Sequence, residues 1–411
     1  MSEQRETGSA TPAARLRWFV RGVSLAIAIA LLWPARHTGV SVAVPGLSPF
    51  VALASVLAMR GLHDVALLGL VVVCIVLIHR RWFCRWVCPM GLCVEGMSRL
   101  GRRWGRRPLK SMRVGQWILW LTLGGALLGW PLLLWLDPLV VFAGLFGPAT
   151  ARGIPGAWFA ALPALAVLVL SFVWPYVWCA RICPLGALQE TLSRLSRRGR
   201  RLVQGGRRAP RPSESGLVVA RRAVLGAGFG VASATALRVA ARPLERPMRP
   251  PGAVMESEFR GLCVRCGNCV SACPTGIIKP DLGRHGVTSL LTPTLRFEGG
   301  YCRDDCALCS RVCPSGALTR FPWKGTKRHM QFGLAKVDMS VCLLGDEREC
   351  TECRRWCPHE AIRYVFSEAE YTQVPVIDAA KCTGCGACEM ACPVKPRKAI
   401  VVVPRADKST G

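Results

Sequence analysis

The sequence predicts an α-helical membrane domain followed by a smaller α+β domain built from duplicated units. Long apolar runs are confined to the first half of the chain. Sixteen of the 22 cysteines fall in the second half, at regular intervals. The formal net charge of +29 is concentrated between the apolar runs. At 411 residues the chain has room for two or three domains.

The cysteine-rich half contains four groups of four cysteines, each ending in C-x2-C-x3-C-P. The first and fourth groups match C-x2-C-x2-C-x3-C-P, the bacterial ferredoxin pattern for [4Fe–4S] clusters. The second and third groups lengthen only the first gap, to three and seven residues. The predicted ligands are Cys263, Cys266, Cys269 and Cys273; Cys302, Cys306, Cys309 and Cys313; Cys342, Cys350, Cys353 and Cys357; and Cys382, Cys385, Cys388 and Cys392.

The spacing has a physical reason. Closely spaced thiolates let one loop hold three corners of a cubane, while the fourth cysteine ligates the cluster of a partner group. Four ligands per cluster therefore predict four [4Fe–4S] clusters. A zinc site would use separated pairs of ligands, and a disulfide framework would not repeat this core four times.

The groups begin at residues 263, 302, 342 and 382, a period of 39 or 40 residues. Such a period also occurs in solenoids and propellers, but apolar residues carry those repeats. Here β-prone segments flank the later groups, at Gly333–Asp338, Ala361–Phe366, Val374–Asp378 and Ala399–Val403. This pattern predicts a small α+β ferredoxin-like fold with duplicated 2[4Fe–4S] units.

Four apolar runs in the first half are close to the 17–25 residues needed to cross a bilayer. They are Leu16–Pro34, Leu62–Ile78, Trp117–Leu136 and Trp158–Trp178. Tryptophan and tyrosine cluster at the ends of these runs, as in an interfacial belt. We therefore expect about four transmembrane helices. A fifth run, Val40–Met59, contains two prolines and is expected to lie at the membrane surface or dip into it.

The charge distribution predicts the orientation. Residues 80–114 hold ten Lys and Arg and residues 179–222 hold eleven, whereas residues 137–157 hold one. By the positive-inside rule the two basic loops and the N-terminus are cytoplasmic. We expect a multi-pass protein of the bacterial inner (cytoplasmic) membrane, in contact with membrane lipid. Nucleic acid, which a basic chain can also indicate, is not expected as a partner because the charge follows the apolar runs.

Each basic loop opens with a C-x3-C-P motif, containing Cys84 and Cys88 in one and Cys179 and Cys183 in the other. Two such pairs facing each other would supply the thiolates of a fifth [4Fe–4S] cluster. A redox dithiol, a zinc site, or two similar turns without metal are the alternatives. Cys93 has no assigned role, and Cys74 is expected to be a small buried apolar residue.

The predicted domain boundaries follow from these features. They are a disordered N-terminus at 1–14, a membrane domain at 15–191, an Arg-rich linker at 192–250, a polyferredoxin domain at 251–404, and a disordered tail at 405–411. Within the linker, Arg221 and Arg222 precede an uncharged stretch that reaches Leu237, which resembles a twin-arginine signal. A domain that carries clusters must fold before export, and this route moves folded proteins. We therefore expect a periplasmic ferredoxin domain; the alternative is a cytoplasmic domain held by a short amphipathic anchor.

The two halves carry separate family resemblances. The membrane half resembles the ferredoxin-type proteins NapH and MauN, which have four spans and two cytoplasmic C-x3-C-P motifs. From Arg221 onward the chain resembles NapG and MauM, exported ferredoxins with four cluster motifs, so the whole looks like a fusion of the two partners. The chain departs from this pattern in the long gap of its third group, in Val224 where phenylalanine is usual, and in the internal position of the signal.

The resemblance implies electron transfer from membrane quinol through the clusters to a periplasmic redox enzyme, in the setting of nitrate reduction or amine dehydrogenase maturation. It implies nested cluster pairing, first group with fourth and second with third, with adjacent pairing left open. The alternatives are a maturation factor that supplies reducing equivalents to a periplasmic metalloenzyme or amine dehydrogenase, and a cytoplasmic-facing membrane polyferredoxin. No classical catalytic residues are present. His63 and Asp137 are titratable groups near the predicted periplasmic ends of spans, and either could take a proton from quinol.

Overall fold

A computed structural model describes residues 12–33, 39–79, 81–109, 112–146, 157–203, 214–240, 246–322, 326–346, 348–368 and 371–405. It contains a helical domain, up to Ala240, and a cysteine-rich domain, from Arg246 onward. The predicted disordered segments fall mainly outside the described residues, although helix α1 already begins at Pro12.

The helical domain contains eleven α-helices among the described residues. They are α1 (Pro12–Leu32), α2 (Ala43–Gly46), α3 (Pro49–Met59), α4 (Asp64–Ile78), α5 (Trp82–Trp86), α6 (Pro89–Arg103), α7 (Val114–Leu127), α8 (Pro138–Gly144), α9 (Leu162–Val173), α10 (Pro184–Val203) and α11 (Glu214–Ala240). A π-helical turn, Trp178–Ile182, precedes α10. Short 3₁₀ turns precede α2, α8 and α9.

The helical domain is an internal duplication. Cys84 and Cys88 correspond to Cys179 and Cys183, 95 residues later, and α6 corresponds to α10 at the same offset. The chain turns into the two motifs through residues with positive φ, Arg81 (51°) and its counterpart Tyr176 (62°). Non-glycine residues rarely adopt this conformation. Its occurrence at both equivalent positions means that each half makes the same sharp turn before its cysteines.

The predicted spans correspond to helices, but the structure changes their extent. The run Trp117–Leu136 is not one continuous helix, because α7 ends at Leu127 and Gly129 (φ 75°) turns the chain. The buried helix α8 then packs inside the domain against α2 and α6. The other three runs contain α1, α4 and α9.

One described segment has the length and composition of a membrane span only as a bent pair of helices. It joins Val40–Gly46 to Pro49–Met59 at an angle of 92°, and no single described helix is both long and apolar enough. The four transmembrane helices therefore stay a prediction.

The predicted linker at 192–250 contains helical segments in the structure. Helix α10 continues to Val203 and α11 spans 27 residues from Glu214, so most of this segment is helical. Helix α11 packs along α7 through small residues, with Gly226 against Trp120 and Gly230 against Leu121. Such close helix contacts through a G-x-x-x-G pair are typical of helices within membranes.

Among its described residues, the cysteine-rich domain contains three antiparallel two-stranded sheets. These are β1 (Ile278–Pro280) with β2 (Pro293–Leu295), β3 (Gly333–Val337) with β6 (Ile400–Pro404), and β4 (Ile362–Ser367) with β5 (Thr372–Ile377). Its helices are short: α12 (Glu256–Leu262), α13 (Asn268–Ala272), α14 (Leu308–Arg311), α15 (Glu352–Arg355) and α16 (Ala387–Ala391). The four predicted β-segments are confirmed as β3, β4, β5 and β6. Strand β3 precedes the third cysteine group and β6 follows the fourth. Their pairing, from Gly333↔Pro404 to Val337↔Ile400, therefore joins the two ends of the segment that contains these two groups.

The cysteine-rich domain and the C-x3-C-P motifs lie at opposite ends of the long helices. Helix α4 begins at Asp64, which pairs with Arg320 of the cysteine-rich domain at 3.0 Å, and ends shortly before Cys84. Helix α7 begins where Gly115 packs against the backbone of Cys183. Beyond its other end, Trp130 stacks under Arg260 of the cysteine-rich domain.

The close packing of α11 on α7 yields a prediction. A Cβ at Gly230 would lie 2.3 Å from the carbonyl oxygen of Leu121, whereas a Cβ at Gly228 meets nothing within 4 Å. We expect Gly230→Val to destabilise the domain by about 1–3 kcal/mol beyond the loss caused by Gly228→Val, because overpacking forces backbone shifts. Thermal unfolding of the two detergent-solubilised variants measures the difference. Equal melting temperatures would contradict this packing.

Candidate iron–sulfur sites

Four sites in the cysteine-rich domain are each assembled from two neighbouring cysteine groups. Site A combines Cys263, Cys266 and Cys269 with Cys313, around a cavity of about 30 Å³. Site B combines Cys302, Cys306 and Cys309 with Cys273, around a cavity of about 20 Å³. The first three cysteines of each group thus meet the fourth cysteine of the other group.

The same exchange joins the third and fourth groups. In site D, Cys382, Cys385 and Cys388 surround a cavity of about 20 Å³ together with Cys357. In site C, Cys342 and Cys350 each lie within electrostatic range of Cys353, and Cys392 packs in the same apolar cluster as Cys342 and Cys353. Pairing is therefore adjacent, first group with second and third with fourth. The nested pairing that the family resemblance implies is wrong. The short helix before the fourth cysteine of each group packs on the equivalent helix of the adjacent group, α13 on α14 and α15 on α16.

The donor sets fit [4Fe–4S] clusters. Each site offers four cysteine sulfurs, and backbone amides donate to some of them, Leu318 N to Cys313 Sγ and Ala361 N to Cys357 Sγ at 3.4 Å each. Burial raises the pKa of Cys302 to about 11 and that of Cys385 to about 12. These thiols are therefore neutral at pH 7 unless a bound metal group draws off their protons. Within the described residues, no three His, Cys, Asp or Glu groups lie where they could hold a single metal ion.

The four sites form a series in the order A, B, D, C. Sites A and B are neighbours through Cys269 and Cys309. Sites B and D meet where Cys302 N donates to Cys385 O at 2.8 Å. Sites D and C meet through Cys388 and Cys353. The sites of the third and fourth groups, D and C, therefore continue the series that begins with A and B.

Site E lies in the helical domain and brings the two C-x3-C-P motifs together. Cys84, Cys88, Cys179 and Cys183 line one cavity of about 330 Å³. In both halves the second cysteine caps the following helix, since Gly91 N and Gly186 N donate to Cys88 Sγ and Cys183 Sγ at 3.4 Å. The two motifs are therefore not independent turns, because four thiols converge as the shared-cluster hypothesis requires.

Site A is seated directly on the helical domain. Val264 and Cys266 belong to the same buried apolar cluster as Cys88 and Cys183. His63 Nε2 lies 3.3 Å from the carbonyl oxygen of Pro314, the residue after the site A ligand Cys313. Site A is therefore the site of the series A, B, D, C that contacts the helical domain, at the end of its long helices opposite to site E.

Of the two titratable residues proposed for quinol, Asp137 lies in an unexpected place. Asp137 is fully buried inside the helical domain, where it accepts hydrogen bonds from Ser48 Oγ and the amides of Leu139 and Val140. It therefore caps α8 and does not lie at a membrane face. His63 is held against the cysteine-rich domain.

The remaining two cysteines, Cys74 and Cys93, do not line the cavities of sites A, B, D and E. Cys74 is exposed on α4, so the expectation that it is buried is wrong. Cys93 packs at the edge of the apolar cluster that contains site E.

Three side chains that contact cysteine sulfurs at the sites were not identified from the sequence. Lys327, which is 4% exposed, donates through Nζ to Cys302 Sγ at 3.3 Å and to the carbonyl oxygen of Arg303. Gln189 Nε2 donates to Cys84 Sγ at 3.1 Å, and Tyr364 Oη lies 3.4 Å from Cys353 Sγ. No motif marks these residues, because their roles depend on contacts between distant segments of the chain.

Comparison with known proteins agrees with this geometry. Residues 64–107 and 157–202 match the family model "4Fe-4S binding domain", once for each half of the helical domain. Residues 262–317 and 348–395 match "4Fe-4S dicluster domain", once for each pair of sites. The molecule is thus an iron–sulfur protein with 4Fe–4S binding domains in both halves. No solved structure matches the chain.

The cysteine-rich half identifies the family. It is 39% identical over 194 residues to the "Methylamine utilization ferredoxin-type protein MauM" of Methylobacillus flagellatus, covering 44% of this chain and 78% of that protein. It is 36% identical over 192 residues to the "Ferredoxin-type protein NapG" of Escherichia coli, covering 44% of this chain and 79% of that protein. The chain belongs to the MauM and NapG family of ferredoxin-type electron-transfer proteins.

Lys327 gives a testable prediction about site B. A buried positive charge that also donates to a ligand sulfur stabilises the reduced cluster, which is more negative than the oxidised one. We expect Lys327→Met to lower the reduction potential of one cluster by roughly 59 mV or more, a tenfold change for a one-electron couple, and Lys327→Arg to restore most of it. An EPR-monitored redox titration measures this shift. Lys279→Met, which removes the ion pair of Lys279 with the exposed Glu298, is the control. If the titration curve of Lys327→Met overlays that of the wild type, Lys327 does not raise the reduction potential of the site B cluster.

Proposed function

We propose that this chain is a membrane-bound electron carrier that takes electrons from quinol and delivers them to a redox partner protein. The observation that carries the proposal is the series of sites A, B, D and C, which is seated through site A on the helical domain that holds site E. A serial arrangement suits a carrier, because each cluster exchanges one electron with the next. In this proposal sites A to D hold four [4Fe–4S] clusters and site E holds a fifth.

This chain's own residues have three tasks in such a carrier. The cysteines hold the clusters, which supply one-electron redox chemistry when bound. Lys327, Gln189 and Tyr364 contact ligand sulfurs and so adjust how readily each site takes an electron. One buried apolar cluster includes both Cys88 of site E and Cys266 of site A, and so provides a protein medium for electron transfer between them.

We place the helical domain in the inner membrane with site E toward the cytoplasm and the cysteine-rich domain in the periplasm. The positions of these two parts at opposite ends of α4 and α7 support this orientation. The charge distribution also supports it, with both basic loops on the side of site E. Helix α11 fits the same orientation. It runs parallel to α7, so Arg221 and Arg222 lie at the site E end and Arg238 lies near Gly129 at the other.

The position of α11 gives the twin-arginine segment a second role in this proposal. The segment after the two arginines would direct export of the folded domain and then remain as a packed helix. The tight contacts of Gly226 and Gly230 with α7 support retention, because a cleaved segment needs no fitted interface. The chain then acts as a NapH- or MauN-type membrane protein fused to its NapG- or MauM-type partner.

The redox partner would dock at site C, the far end of the series. The β4–β5 hairpin beside this site exposes large apolar side chains, among them Val365 (52%), Phe366 (59%) and Tyr371 (86%). Exposed apolar groups of this kind often mark a protein interface. A periplasmic reductase or dehydrogenase is the partner class, and the same path would serve the maturation of such an enzyme.

Removing site E tests the proposed path. We expect Cys84→Ser with Cys179→Ser to lose about four irons per chain, one cubane's content, and to abolish reduction of the remaining clusters by menadiol. Dithionite, which reaches exposed clusters directly, should still reduce sites A to D. Iron analysis and anaerobic absorbance changes measure both effects.

Cys74→Ser and Cys93→Ser are the matched controls, because neither residue lines the site E cavity. Unchanged iron content in the Cys84→Ser, Cys179→Ser variant would rule out the fifth cluster. Normal reduction by menadiol despite the loss of site E would show that quinol electrons enter elsewhere.

A further inference from the structure

The cavity at site E has more room than a cluster needs. The cavities at sites A, B and D measure about 20–30 Å³, whereas the cavity at site E measures about 330 Å³. All of these sites offer four cysteines for the same kind of group, so the difference is space for something else. A volume near 300 Å³ is at the lower end of small-molecule pockets in proteins.

The walls of this extra space suit a flat ring. Met90, Val94, Pro138, Tyr176 and Trp178 line it, and most of the lining surface is apolar. Small-molecule sites commonly combine such apolar walls with a few polar groups that fix the orientation of the ligand.

The polar groups are arginines without full partners. Arg17, Arg21 and Arg81 line the cavity, and the Nε of each is buried without a hydrogen-bond acceptor. Arg21 is only 5% exposed. Its terminal nitrogen donates to Glu95, which also lines the cavity. Leaving such donors unpaired in the interior is costly, so a ligand that accepts hydrogen bonds would stabilise this arrangement.

The duplication argues that these arginines do more than balance the charge of a cluster. At the offset of 95 residues, Arg17 and Arg21 of α1 correspond to Met112 and Gln116. The cysteines are therefore matched in the two halves, but the α1 arginines are not. Glu95 is matched by Glu190, which pairs with Arg81 and Arg113, but neither Glu190 nor Gln116 lines the cavity. The extra space therefore lies on the α1 side of the site.

We propose that the α1 side of the site E cavity binds the ring of a quinone or quinol. Arg21 donates a hydrogen bond to a ring oxygen, and Glu95 accepts a hydrogen bond from the ring hydroxyl. This assignment rests on the proposed function and deepens it by locating the quinol site. It replaces His63 and Asp137 as candidates for the quinol site. His63 lies against the cysteine-rich domain, and both carboxylate oxygens of Asp137 already accept hydrogen bonds. Access from the lipid is available along α1, whose Leu16 and Phe19 are exposed.

Binding of a quinol analogue tests the site without relying on turnover. The full chain in nanodiscs of neutral phosphatidylcholine is titrated with heptyl-hydroxyquinoline N-oxide, whose fluorescence is quenched on binding. We expect Arg21→Gln to weaken binding about tenfold or more, the loss of one hydrogen bond from a charged group. Arg99→Gln is the matched control. Arg99 donates to the same Glu95 carboxylate at 2.8 Å but is exposed and does not line the cavity.

Glu95→Gln provides a second variant of nearly the same shape, with the same expected direction, should Arg21→Gln lose iron. Equal affinity in wild type and both variants would overturn the site. Equal weakening by Arg99→Gln would overturn it too, since the effect would then come from Glu95 packing alone. Complete displacement of the analogue by acidic phospholipid or inorganic phosphate would assign the arginines to an anion instead.

The outcome is separable from that of the proposed function. Tight, Arg21-dependent binding without reduction of the clusters by menadiol would keep the site and refute quinol as the donor. Reduction by menadiol with binding indifferent to Arg21 and Glu95 would keep the function and refute the site.

Discussion

The seating of site A on the helical domain is the contact on which the rest of the structure depends. Site E and the series A, B, D, C would otherwise be two unconnected redox units. The contact is apolar at its centre, where Val264 and Cys266 join the core of the helical domain. Polar contacts at its edge include His63 with Pro314 and Asp64 with Arg320. Fusion into one chain favours this arrangement, because the linked domain is always at high effective concentration.

Every site is also built from two segments that are each insufficient alone. Sites A to D borrow one cysteine from the neighbouring group, and site E takes two from each half of a duplication. In site E the proline after the second cysteine of each motif begins a helix, since proline is tolerated in the first helical turn. In the cysteine-rich domain Cys273 and Cys392 instead end the short helices α13 and α16. Loss of either partner segment therefore removes a site, which couples folding to cluster binding.

Local features could be predicted from the sequence, whereas long-range ones could not. The cysteine groups, the four later strands and the helical character of the apolar runs are local, because spacing and side-chain periodicity determine them. Cluster pairing was left open between nested and adjacent arrangements, because it depends on which of the short helices beside the fourth cysteines pack together. The turn after Leu127, the position of Asp137 and the packing of α11 likewise depend on tertiary contacts. Lys327 and Arg21 had no signal, since a single basic residue in a basic chain is unremarkable until its neighbours are known.

The most direct test of the account is the side of the membrane on which each end of the molecule lies. A reporter that stays active after export of a folded domain is fused after Gly411, and a thiol-reactive or reporter tag is placed in the loop at residues 104–109. The account predicts a periplasmic signal after Gly411, a cytoplasmic signal from the loop, and loss of the periplasmic signal when Arg221 and Arg222 are both replaced by lysine. A cytoplasmic signal from both positions would contradict a path that crosses the membrane and would leave a polyferredoxin that faces the cytoplasm.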